Sequence, residues 1–241
     1  MNSIKRIDST TSTNDELKSM GINSLPNYFM LISDFQTAGR GRKKNIWESE
    51  KGKNLLSSIL LFSAIPIKLQ YDISCLISLA VMRVLTNHCK INNVYIKWPN
   101  DIYVKDKKIA GILVEHCING QNIKYSIIGL GLNINQKIFS SHIPNPTSII
   151  LECKKEFDIE DIATNIVQQL QQLCQLSHNE LRAQIHQSLY KKDTLSRFEL
   201  CKNGEIFSGY IRQIDDNGCL IIETINRQLY KFELNEIKYL Q

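Results

Sequence analysis

Apolar residues recur along this chain with two distinct spacings. The runs YFMLISDF (28–35) and NLLSSILLF (54–62) are short, rich in branched and aromatic side chains, and bounded by polar or glycine-containing stretches, a pattern that predicts strands. An extended start at 3–9 precedes them, and Asn14 is placed to cap a short helix that runs through Met20 and stops at Gly21. Between 69 and 89 the apolar positions Ile73, Leu76, Ile77, Ala80, Val81, Val84 and Leu85 follow the helical period, so this segment predicts a helix with a wide buried stripe. Further strands are predicted at 93–98, 101–104 and 109–116, broken by the turn-like WPND and VKDKK, and one more from 122 into GLGLNIN. Residues 158–175 and 178–190 return to helical spacing.

From about residue 194 the rhythm shortens. RFELC, EIFSGYIRQID, GCLIIET and QLYKFEL alternate and are separated by Asn-Gly and similar turns, the texture of a small β-barrel. Together the two textures predict an α+β chain: a mixed β-sheet packed on helices over residues 1–192, with a small C-terminal barrel over 193–241.

Composition narrows this reading. Hydrophobic residues at 43% and charged residues at 22% are ordinary for a folded chain, and 241 residues suffice for a real core. The start, MNSIKRIDSTTSTN, carries no apolar signal core and no run of 18 apolar residues follows, so an unexported chain without a membrane span is expected. Seven cysteines (75, 89, 117, 153, 174, 201, 219) form no CxxC pair, which signals neither a disulfide framework nor a zinc cage. The expectation is buried thiols in a reducing cytoplasm.

The net charge of +5 is local. Arg40, Arg42, Lys43, Lys44, Lys51 and Lys53 against Glu48 and Glu50 give +4 within residues 40–53, and the rest of the chain is close to neutral. A nucleic-acid binder needs phosphate contacts spread along a face, whereas one compact basic loop suits one small polyanion. The barrel region 194–241 holds six basic and seven acidic residues, a poor footprint for DNA or RNA.

Three stretches could carry chemistry. In FQTAGRGRKKNIWESEKGKNL (35–55), Gly39 and Gly41 alternate with Arg40 and Arg42, so backbone amides and guanidinium forks can converge on one anion, although a solvated surface hairpin has the same composition. Trp47 is an unusual residue to leave in such a loop unless it covers something. In IKWPNDIYVKDKKIAGILVE (96–115), Lys97, Asn100 and Asp101 surround a proline turn, and Lys108 precedes a strand in which Gly111 permits close approach. An Asp near two lysines can hold Mg²⁺ while the lysines meet phosphate or carboxylate; a strand pair with a polar hairpin is the plainer reading. GLGLNIN (129–135) lacks the third glycine of a dinucleotide fingerprint and no phosphate-binding GxxxxGK[ST] occurs, so its two glycines better suit backbone approach to a small ligand.

STN (12–14), QTAGRGR (36–42), KWPNDIYV with KKIAGILVE (97–115) and GLGLNIN, in this order and spacing, resemble the biotin protein ligases. The resemblance runs from about residue 5 to the end and implies a class II synthetase-like catalytic domain with an SH3-like barrel. It implies an enzyme that uses ATP and Mg²⁺ to convert biotin to biotinyl-5′-AMP, then passes biotin to a lysine of a biotin carboxyl carrier protein domain. The basic loop would fold over biotin and the adenylate, its mobility serving admission and closure.

By the same resemblance, Lys108, Arg40, Arg42 and Asp101 carry the chemistry, with Asp101 also on the metal. Ser12, Thr13, Asn14, Gln36, Gly39, Arg40, Lys108 and Gly111 hold biotin. Arg42, Trp47, Lys97, Asn100, Lys108, Gly129 and Asn133 hold ATP and the adenylate, with Trp47 over the adenine. Where many members continue the loop as GRGRRGR, this chain has Lys43, Lys44 and Asn45. STN at residue 12 leads to the expectation of the short type without a DNA-binding domain, acting in the cytoplasm as monomer or homodimer. Two rivals remain: lipoate ligases and lipoyl or octanoyl transferases, which share the fold, and a module that binds biotin without transferring it.

Overall fold

The computed structural model of the protein describes residues 4–42 and 45–240; Lys43 and Lys44, where the loop departs from the GRGRRGR pattern, lie outside the described residues. The chain begins with strand β1 (Ile4–Thr10), helix α1 (Thr13–Ser19) and strands β2 (Met30–Gln36) and β3 (Leu55–Pro66). Helix α2 (Gln70–Arg83) continues as a π-turn over Val84–His88, and strands β4 (Val94–Lys97), β5 (Asp101–Val104), β6 (Lys107–Asn119) and β7 (Asn122–Leu132) follow. These seven strands form one sheet in the order β1-β2-β3-β7-β6-β5-β4, parallel only between β1 and β2.

Alternation along the central strands sorts side chains to two faces. Met30, Ile32, Ile59, Leu61 and Ile128 enter the large core shared with α2, while Leu31, Leu60 and Ile127 meet Leu17 of α1 and Phe29 on the opposite face. Helices α3 (Ile149–Cys153), α4 (Ile159–Leu173) and α5 (His178–Gln187) come next, and α4 buries Ile162, Ile166 and Leu170 in the large core. Ser177 and Glu180 close a reciprocal cap on α5, and Asp158 caps α4 through the Asp161 amide. The helical stretch Ile67–His88 is long and apolar enough in composition to cross a bilayer, and here it lies against the sheet as a core helix.

A second sheet holds strands β8 (Leu195–Leu200), β9 (Ile206–Ile214), β10 (Leu220–Thr224), β11 (Leu229–Phe232) and β12 (Ile237–Leu240), ordered β11-β10-β9-β8-β12 and antiparallel throughout. Phe198, Ile211, Leu220, Ile222 and Phe232 fill it. This is an α+β architecture with a C-terminal sheet that fits an SH3-like barrel. The turn before β10 seats the barrel: Trp98 Nε1 donates to the Gly218 carbonyl at 2.9 Å, and a methyl group at Gly218 would lie 2.6 Å from the Tyr71 ring.

One sequence expectation needs correction, and two elements had none. Ser12, not Asn14, occupies the cap position of α1, because the Asn14 amide is engaged inside the fold. The five-residue α3 is too short to show a period, and β12 is four residues long, so neither was legible as an element.

Candidate active site

Glycines open the site. On the α1 face of the sheet, Gly111 of β6 sits directly across from Gly131 of β7, and Gly129 pairs with Ser58 of β3. A methyl group at Gly129 would come within 2.7 Å of Asn14 Oδ1, and one at Gly131 would overlap the Trp47 indole. The three glycines therefore form a floor onto which α1 and the basic loop can descend.

Above this floor lies a hollow of about 180 Å³ lined by Ser12, Thr13, Asn14, Gln36, Arg40, Arg42, Trp47, Asn100, Asp101, Lys108, Gly111 and Gly129, together with apolar Ile112, Leu113 and Leu130. One end is a polar network. Gln36 Oε1 accepts from the Thr13 amide (2.7 Å) and hydroxyl (3.1 Å), while Ser58 Oγ lies 2.8 Å from Thr13 Oγ1 and donates to Asn14 Oδ1 at 2.5 Å. Asn14 Nδ2 donates to Glu115 Oε2 at 2.6 Å. Ser12, Thr13 and Asn14 are each at most 5% exposed, so these groups are fixed rather than solvated.

The other end is cationic. Lys108 Nζ pairs with Asp101 Oδ1 at 2.7 Å and stands 5.6 Å from the centre of the Trp47 ring. Arg40 pairs with Asp15 at 2.6 Å and approaches Glu115 at 3.8 Å. Both Arg40 and Asp15 are nearly half exposed, and such pairs are worth only about 0–1 kcal/mol, so Arg40 is easily recruited to a ligand anion. Arg42 has no carboxylate partner among the described residues; its guanidinium reaches Asn100 Oδ1 at 3.5 Å. Burial lowers the Arg42 pKa while nearby Asp101 raises it, leaving a cation short of partners at the rim.

A second hollow of about 620 Å³ adjoins the first and shares Asn45, Ile46, Trp47, Asp101 and Lys108 with it. Its far wall is the segment after β7, with Phe139, His142, Ile143, Pro144 and Pro146. That wall is pinned: the Lys108 amide donates to Asn145 O, the Thr147 amide to Lys108 O, and Asn133 Nδ2 to Thr147 O at 2.9 Å. Glu48 reaches across to His142 (2.6 Å) and Ser140 (2.9 Å).

Most residues singled out from the sequence thus converge on one place. Gly39 stays outside the first lining because it braces the loop, its carbonyl accepting from the Trp47 amide. Asn133 lines the second hollow, with its side chain spent largely on the wall. Lys97 lines neither, and is taken up by tyrosines. Trp47, assigned to the adenine by resemblance, lines both hollows with its ring over the Gly111–Gly131 pair. Glu115, Asp15 and Ser58 were missed, since only the register of three strands and the seat of α1 bring them here.

A single Mg²⁺ would find little protein to hold it: no group of three or more His, Cys, Asp or Glu side chains gathers among the described residues. Asp101 alone lines both hollows as a carboxylate, which fits an ion carried in by phosphates rather than a protein cage.

A family model described as the biotin/lipoate A/B protein ligase family matches residues 4–133. The bifunctional ligase/repressor BirA of Bacillus spizizenii is 33% identical over 162 residues, 67% of this chain and 44% of that protein. BirA of Escherichia coli is 30% identical over 196 residues, 80% of this chain and 60% of that protein, so the chain spans about half the length of these relatives. A biotin protein ligase from Aquifex aeolicus, solved in complex with biotin and ATP, shares the fold with a TM-score of 0.80 over 100% of both chains at 21% identity. The family match takes in the STN, GRGR, KWPND and GLGLN stretches, which contribute to the lining of the two hollows, and the chain belongs to the biotin/lipoate A/B protein ligase family.

Proposed function

We propose that the chain uses ATP to convert biotin to biotinyl-5′-AMP and transfers the biotinyl group to a lysine of a biotin carboxyl carrier domain, with residues 1–192 as the catalytic unit and 193–241 as an appended barrel. The observation that carries this reading is the sharing of Lys108 by two adjoining hollows, one with a polar end and apolar walls, the other roomy enough for a nucleotide.

In this reading the Thr13, Asn14, Gln36 and Ser58 network meets the ureido group, which both donates and accepts hydrogen bonds. Ile112, Leu113 and Leu130 cover the apolar ring and chain, and the carboxylate lies towards Lys108. A carboxylate is a poor electrophile. Its oxygen attacks the α-phosphorus of ATP, the bond to the β-phosphate oxygen breaks, and pyrophosphate leaves with a mixed anhydride formed. Lys108 and the under-partnered Arg42 neutralise charge that grows on the phosphate oxygens in that step. A lysine amine of the carrier then attacks the anhydride carbonyl and AMP departs, so proximity and charge, not a protein nucleophile, supply the rate. Mg²⁺ bound by the phosphates and Asp101 would withdraw charge from the same oxygens.

Incubating the purified chain with biotin, MgATP and a carrier domain, and weighing the carrier by mass spectrometry, tests the reading. Addition of one biotinyl group at a single lysine is expected. An unmodified carrier alongside a lipoylated one in a matched reaction with lipoate would replace biotin by lipoate as the substrate.

A further inference from the structure

Lys97 is the cation of the KWPND stretch that neither hollow claims. Its ammonium donates to Tyr103 Oη at 3.0 Å and lies 4.4 Å from the centre of the Tyr103 ring, 4.9 Å from that of Tyr239 and 5.7 Å from that of Tyr190. The three rings also pack on one another, with Tyr190 centred 5.2 Å from Tyr103 and 6.3 Å from Tyr239, and Tyr190 is fixed by its hydroxyl on Asp106 at 2.6 Å. Among the described residues no carboxylate pairs with Lys97. Asp101, its cross-strand partner, is instead paired with Lys108. Burial lowers the Lys97 pKa, with Asp101 opposing and Lys108 and Lys191 assisting.

A partly desolvated ammonium without a counter-ion is costly, and aromatic faces compensate only part of that cost. The cage is assembled from remote parts of the chain: Lys97 and Tyr103 from β4 and β5, Tyr190 from just beyond α5, and Tyr239 from β12, the last strand of the barrel. Tyr103 is also a wall of the larger hollow, so the caged ammonium is one side chain away from it.

We infer that Tyr103, Tyr190 and Tyr239 are positioning residues that hold Lys97 beside the larger hollow, and that through Tyr239 the barrel sets how tightly the chain binds the phosphates of a nucleotide. The inference rests on the nucleotide reading of that hollow. It gives the barrel a part in substrate binding that needs no barrel residue to touch the substrate.

The test is a double-mutant cycle on MgATP affinity, measured by calorimetry both without acid and with saturating biotin. Tyr239→Leu keeps apolar volume but removes the aromatic face, and weakens MgATP binding roughly two- to thirtyfold, the range a cation–π contact spans. Tyr239→Phe keeps both the face and the bulk and restores wild-type affinity, which a role for the hydroxyl would forbid; a role for bulk alone would still show beside Lys97→Met. In a Lys97→Met background, Tyr239→Leu has no further effect. Equal affinity for Tyr239→Leu and wild type, or an undiminished effect of Tyr239→Leu beside Lys97→Met, overturns the inference, as does a wild-type chain that binds no MgATP. If Tyr239→Leu fails to fold by circular dichroism, Tyr190→Leu takes its place in the same cycle. A chain that binds MgATP but ignores biotin refutes the choice of acid and leaves the cage to be decided by the cycle.

Discussion

The Trp47 indole lies across Gly131 so closely that a single methyl group at that glycine would overlap the ring, and Gly111, paired with Gly131 on the next strand, completes the seat. The basic loop is thereby docked onto the sheet by an aromatic ring on bare backbone. Among the described residues the buried Trp47 Nε1 finds no hydrogen-bond partner, an arrangement native folds seldom keep without a functional reason.

Gly131→Ala is expected to lift Trp47 from the floor and weaken biotin binding about 5- to 150-fold, the range of an overpacking cost of about 1–3 kcal/mol. Calorimetry reads the affinity. The chain's other tryptophan, Trp98, is buried and donates to Gly218, so a change in tryptophan emission on adding biotin should come from Trp47 and vanish in Trp47→Phe.

Lys108→Ala removes the cation shared by the two hollows. Adenylation, read as pyrophosphate release, should fall by at least about 100-fold, as for loss of one preorganised charge-stabilising donor. A scaffold that merely bound biotin would release no pyrophosphate with or without this change, and would keep the part of its biotin affinity that the untouched polar network at the other end supplies.

Arg42→Ala takes away the under-partnered guanidinium at the rim of the first hollow. Free biotinyl-5′-AMP should then appear in the medium during turnover without carrier, quantified by chromatography. Retention equal to wild type would remove Arg42 from the adenylate contacts.

Far from the site, His178 stands between Asp72 (2.6 Å) and Asp216 (3.2 Å), joining α5 to α2 and to the turn before β10, with Arg182 as the nearby opposing cation. Its pKa is raised above the ordinary 6.5, chiefly by the hydrogen bond to Asp72, with burial opposing and Asp216 assisting. A raised folded pKa means that protonated His178 stabilises the fold fully below its ordinary pKa, and that this contribution fades as pH rises through the raised value. The melting-temperature difference between wild type and His178→Gln should accordingly be larger near about pH 5.5 than near about pH 8.5.

Much of this was legible in the sequence. Apolar runs and the helical stripe from Ile73 to Leu85 gave the central strands and α2, since local period and burial agree there. The paired glycines of GLGLNIN could be read as backbone left open for a ligand. Which residue fills that opening could not, because the Gly111–Gly131 pairing depends on the register of β6 on β7. The acidic counterparts of Arg40 escaped for a similar reason: Asp15 and Glu115 look like solvated helix and strand positions until α1 is laid across the sheet. Lys97 shows the limit of reading by resemblance, for its tyrosines lie 6, 93 and 142 residues away in sequence, and only the folded barrel brings Tyr239 to it.

The measurement that bears most directly on the central claim is pyrophosphate release from MgATP by the purified chain with biotin, with lipoate, or with neither. The account predicts release that requires biotin and stops with Lys108→Ala. Release with lipoate alone would contradict the choice of acid, and no release with either would contradict the adenylating reaction itself.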